Sequence, residues 1–120
     1  MKSLTHYLPR PPRYPAIDVR QIELIVMRLQ DGAPEETLHD ITLLELSRRG
    51  ARFSSEHMLP LNAELRVQIG LRDGPCYVGR AVVRWNLPQP PKFVCGCVFD
   101  EPIPWEVLGE FLLRGAVAAL

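Results

Sequence analysis

The chain has 120 residues, enough for one domain and too few for two. Hydrophobic residues make up 47% of it, which excludes wholesale disorder. Lys+Arg is 14 and Asp+Glu is 14, a balance that argues against a general nucleic-acid binder and requires any bound anion to meet a local cluster of arginines.

No apolar run approaches the roughly 18 residues of a membrane-spanning helix. The first residues lack a signal-peptide core, so a cytoplasmic protein without membrane insertion is expected. Three cysteines make an odd count, which does not fit a secreted disulfide framework.

The chain opens with Pro9, Pro11, Pro12 and Pro15 interleaved with Arg10 and Arg13. Proline fixes φ and removes a donor, so residues 1–15 are expected to form a flexible arm rather than helix or central strand. Residues 16–120 are expected to form a single domain. From Val19 to Leu29, Ile22, Leu24 and Val26 fall on one face and Ile25, Met27 and Leu29 on the other, the pattern of a strand covered on both sides. Asp31-Gly32 with Pro34 signals a turn. A second strand is expected over Leu38–Leu46, a tight turn at Ser47-Arg48-Arg49-Gly50, and a third strand from Ala51.

The clearest alternation follows. Leu65, Val67, Ile69 and Leu71 share a face, as do Tyr77, Gly79, Ala81, Val83 and Trp85, with Arg80 and Arg84 opposite. Pro88, Pro90 and Pro91 mark a longer loop before a sixth strand, Phe93–Phe99. Pro104 then suits the first turn of a helix over 104–119, with Trp105, Leu108, Phe111 and Leu112 at helical spacing, Glu106 early and Arg114 late. Six strands and one helix give a mainly all-β class, a six-stranded antiparallel β-barrel with a C-terminal α-helix.

Two segments concentrate polar chemistry: Arg10-Pro11-Pro12-Arg13-Tyr14-Pro15, and Glu45-Leu46-Ser47-Arg48-Arg49-Gly50-Ala51-Arg52-Phe53. With Cys95-Gly96-Cys97-Val98-Phe99 and the closing helix, in that order, they make the chain resemble the PilZ domain family of cyclic di-GMP receptors, from about Arg10 to the helix. That family carries an R-x-x-x-R arm, then D/N-x-S-x-x-G running on as G-A-R and an apolar residue. The resemblance implies a non-enzymatic module that binds cyclic di-GMP through Arg10, Arg13, Glu45, Ser47, Gly50 and Arg52, and signals to a protein partner by ordering its arm. Guanidinium forks suit both phosphate oxygens and the O6/N7 edge of guanine, and a carboxylate can accept from guanine N–H groups. By strand parity Glu45 and Ser47 share a side, and Arg52 is expected to face outward. The pattern is departed from twice. Pro9 stands where the first arm arginine belongs, with Arg10 one residue late, and Glu45 stands where the family has Asp or Asn. Those departures fit an alternative, an adaptor of the same fold that has lost the nucleotide and works by protein–protein contact.

Trp85 is either a stacking partner for guanine or a rim or core side chain. The Cys95-x-Cys97 pair with a distant Cys76 matches no zinc spacing and reads as buried thiols, so no metal or cofactor is expected. His6, His39 and His57 accompany no recognisable nucleophile.

Overall fold

The structure is a computed structural model that describes residues 19–31 and 35–119, with side chains in the closing helix described as far as Leu113. The expected arm, with Arg10 and Arg13, lies outside the described residues.

A short 3-10 turn at Val19–Gln21 leads into β1 (Ile22–Arg28), β2 (Glu36–Thr37), β3 (Thr42–Leu46), β4 (Gly50–Ser55), β5 (Glu64–Leu71), β6 (Cys76–Gln89) and β7 (Lys92–Phe99), followed by α1 (Trp105–Ala119). All pairings are antiparallel, in the order β2-β1-β5-β6-β7-β4-β3. The expected class, mainly antiparallel β with one C-terminal helix, is what forms, but with seven strands rather than six. β2 and β3 are the two ends of the sheet, and only residues 38–41 separate them. At ~3.3–3.6 Å per residue that link spans under about 20 Å. The ends must therefore approach each other, and the sheet curls into a half-barrel.

The difference in strand count has a local cause. Asp40 takes φ 58°, which breaks the single strand expected over Leu38–Leu46. The two residues before Leu38 pair with β1, and the chain then crosses to pair with β4.

The inner face carries the core. Leu65, Val67 and Ile69 of β5 are fully buried and Leu71 nearly so, as their alternation predicts. They meet Ile22 and Val26 of β1, Phe53 of β4, Tyr77, Ala81 and Val83 of β6, and Cys95, Cys97 and Phe99 of β7. The ambiguous first strand is thus resolved: its Ile22/Val26 side faces inward, and Ile25 is exposed. Phe111, Leu108 and Ile103 join the same core from α1 and the segment before it. Trp105 does not; it is half exposed, with the Arg48 guanidinium 4.3 Å from its ring centre. The proline-rich stretch after Leu87 is not a long loop. β6 runs on to Gln89, opposite Lys92, so only Pro90-Pro91 forms the turn. Beyond Val82, β6 has no β5 partner, which is why Pro88 can lack a donor there.

Candidate functional site

Two β-bulges shape the outer face. In β3 the register against β4 shifts between Leu43 and Glu45, and in β6 the register against β7 shifts between Val83 and Trp85. Each inserts a residue, and the alternation downstream reverses. Leu43 points inward, Leu44 and Glu45 both outward, and Leu46 inward again. Likewise Val83 is buried while Arg84 and Trp85 are both exposed. This corrects the expectation that Trp85 shares the buried face of Tyr77, Ala81 and Val83.

With the bulges in place, four residues form one cross-strand row. Glu45 is paired with Arg52, Arg52 with Gly96, and Gly96 with Trp85. Strands lie about 4.7–4.9 Å apart, so the row crosses roughly 14 Å of sheet. A carboxylate stands at one end, a guanidinium beside it and an indole at the other end. The indole lies directly on Gly96, since a Cβ there would overlap its five-membered ring and the adjoining benzo edge. Glycine at this position is what lets a tryptophan lie flat on the sheet.

The turn Ser47–Gly50 closes one side of the row. Ser47 donates to the Gly50 carbonyl from both its N–H, at 2.9 Å, and its hydroxyl, at 3.2 Å. With its proton directed to that carbonyl, the hydroxyl oxygen is left as an acceptor. Gly50 is required by a close approach: a Cβ there would run into the Cys97 carbonyl of β7. Arg48, which follows Ser47 in the turn, is anchored away from the face. The Arg48 Nε donates to the Ile103 carbonyl at 3.1 Å, and the Ile103 N–H donates back to the Arg48 carbonyl at 2.8 Å.

These elements enclose an open cleft of about 350 Å³, within the range of small-ligand sites. Its chemistry comes from Glu45, Ser47, Arg49, Arg52, Arg84 and Trp85, over a floor of Gly50, Ala51, Gly96 and Cys97. Five of the residues singled out from the sequence, Glu45, Ser47, Gly50, Arg52 and Trp85, thus meet in one place. Arg49 and Arg84 join them without having been singled out. Arg49 belongs to the cleft because of the turn; Arg84 faces outward by strand parity, and the β6 bulge, which no periodicity in the sequence reveals, brings Trp85 out beside it. Gly96, inside a strand otherwise free of glycine, was the available clue to a close approach.

Three guanidinium groups face one carboxylate in this lining. Glu45 lies 3.3 Å from Arg52, a solvent-exposed ion pair of the weak, surface kind. Arg49 and Arg84 have no carboxylate partner among the described residues. The cleft is therefore locally cationic on a chain whose formal charge is zero. The thiols behind it are inert: burial pushes Cys95 up to about 12 and Cys97 up to about 11. The described residues contain no group of three or more side chains suited to hold a metal ion. No described helix is long and apolar enough to cross a membrane.

No protein-family model, no curated protein and no solved structure matches the chain.

Proposed function

We propose that this chain is a cytoplasmic receptor module of PilZ type, in which the outer-face cleft binds cyclic di-GMP and no reaction is catalysed. The observation that carries the reading is the convergence of Glu45, Ser47, Gly50, Arg52 and Trp85 in one cationic cleft. They come from three strands and a turn, and the resemblance implied the first four of them as ligand contacts. Cyclic di-GMP presents two phosphates, two guanine bases and little else. Arginine forks match its phosphates and its guanine O6/N7 edges. The exposed indole of Trp85 offers one π-face to a base, since its other face is covered by Gly96. Arg10 and Arg13 would close over the ligand from the chain's N-terminal side. The arm ordered in this way is the signal read by a protein partner.

A second reading is favoured by a different observation. Val98 and Leu87 are exposed beside Trp85 on the same face, and Arg52 is already paired with Glu45. An apolar, partly neutralised face suits an adaptor that meets a protein directly.

Calorimetric titration with cyclic di-GMP separates the two, with GTP and cyclic di-AMP as controls. Micromolar binding that Arg13→Ala and Arg52→Ala each weaken at least tenfold supports the receptor. No heat at millimolar ligand, on a folded sample, leaves the adaptor.

A further inference from the structure

Four arginines stand at or beside the cleft, and two of them are already engaged. Arg48 is held by the Ile103 carbonyl and the Trp105 ring, and Arg52 by Glu45. Arg49 and Arg84 have no such partner among the described residues, and both line the cleft. Trp85 owes its place beside Arg84 to the β6 bulge. In a regular strand, consecutive side chains point to opposite faces, so Arg84 and Trp85 could not share one. The inserted residue lets both project outward from adjacent positions. A cation and an aromatic ring projecting outward from adjacent positions of one strand match the two recognition elements of a nucleotide, its phosphate and its base.

We infer that Arg84, assisted by Arg49, is the phosphate-holding residue of this cleft, and that Arg84 and Trp85 together form a nucleoside-phosphate subsite. The inference rests on the nucleotide reading above and deepens it. Arg52 is then an orienting group for Glu45 rather than the main anion contact. Arg80 supplies an internal comparison. It is an exposed arginine on the same strand, but it lies outside the cleft lining.

The test uses the full chain with three probes: cyclic di-GMP, GMP and guanosine, followed by calorimetry and by amide chemical shifts. A charge-assisted hydrogen bond lost from a phosphate weakens binding about ten- to hundredfold. Arg84→Ala is expected to raise Kd by that factor for cyclic di-GMP and GMP, and to leave guanosine unchanged. Arg84→Lys, which keeps the charge but loses the fork, is expected to fall between. Arg80→Ala is expected to stay within twofold of the parent. Arg84→Gln keeps length and polarity, so it decides the matter if Arg84→Ala folds poorly. Cyclic di-GMP binding unmoved by Arg84→Ala and Arg84→Gln overturns the inference and leaves the receptor standing. An Arg80→Ala loss equal to that of Arg84→Ala also overturns it, because the effect is then general charge. GMP binding that needs Arg84, without any cyclic di-GMP binding, keeps the subsite and removes the cyclic dinucleotide. If neither nucleotide binds, both conclusions fall.

Discussion

Gly96→Ala separates the stacking role proposed for Trp85 from its packing on the sheet. A Cβ at Gly96 would overlap the Trp85 indole and no backbone atom as closely. The far end of a side chain can swing away, so the strand need not move. Trp85 is 39% exposed, so roughly 100–150 Å² of a side chain of 150–250 Å² lies against the sheet. If the displaced indole gives up a third of that contact, about 40 Å² at ~25 cal/mol/Å² costs about 1 kcal/mol. Alanine returns a little of this, since it is less costly than glycine in a strand by about 0.5 kcal/mol. The net loss of stability is expected to be about 0.5 kcal/mol by urea unfolding. On the proposed nucleotide reading, binding should suffer more, because a base stacked on an aromatic side chain is worth about 1–3 kcal/mol. Tryptophan fluorescence in a Trp105→Phe background reports the indole directly, and its emission should move to longer wavelength. A variant that loses about 3 kcal/mol or more with unchanged emission would refute the reasoning, since the backbone would then have yielded instead of the ring. Unchanged nucleotide affinity with shifted emission would remove Trp85 from the binding surface.

Gly50→Ala should behave in the opposite way: its Cβ meets the Cys97 carbonyl, which cannot swing aside, so a loss of about 1–3 kcal/mol is expected in urea unfolding. Arg48→Ala removes the hydrogen bond to the Ile103 carbonyl and the stack on Trp105, at a cost of about 1–2 kcal/mol, and should accelerate amide hydrogen exchange at the start of α1 more than in β5. The cysteines predict a pH dependence. Burial raises Cys95 to about 12 and Cys97 to about 11 from 9.0, so the folded state holds its protons where the unfolded chain has released them. That stabilisation is complete below about pH 9 and is lost as pH rises through about 11–12, so the melting temperature should fall on the alkaline side and Cys95→Ser, Cys97→Ser should flatten the fall. In the native protein at pH 8 a thiol reagent should modify the exposed Cys76 and spare the other two.

Much of the fold was legible because period-two alternation is strong where one face is buried and the other wet. β5 reads directly from Leu65 to Leu71, and each of its four apolar residues is buried as expected. The helix was legible from Pro104 and from Leu108 and Phe111, both of which enter the core. The failures share a cause: a local backbone departure interrupted a pattern that the residues themselves continue. Asp40 at positive φ split one expected strand, and nothing about an Asp between His39 and Ile41 signals it strongly. Trp85 continues the apolar alternation of Tyr77, Ala81 and Val83 without fault, yet one inserted residue turns it outward. Pro88 to Pro91 look like a loop because proline cannot serve a central ladder, but β6 has become an edge by that point. Of the site, Glu45, Ser47, Gly50, Arg52 and Trp85 were identifiable and the outward face of Arg84 was readable from the alternation, whereas the place of Arg49 in the cleft and the bulge that sets Trp85 beside Arg84 were not.

The two bulges explain why a chain of zero formal charge presents a cationic cleft at all. Without the β3 bulge, Glu45 would follow Leu43 onto the inner face, where an unpaired carboxylate is costly to bury. Without the β6 bulge, Trp85 would compete for core space with Val83 and Tyr77, and Arg84 alone would face outward. Both irregularities therefore relieve the core, and both bring side chains of the cleft, Glu45 and Trp85, to the same side. They also act on opposite flanks of the β4–β7 pair, which stays regular from Gly50↔Val98 to Ser55↔Phe93. That rigid pair fixes the distance between the carboxylate end and the indole end of the row. A site made by bending the flanking strands around an unbent centre needs no net charge and no special core. It needs two inserted residues, and glycine at the two points where a neighbouring group comes too close for a side chain.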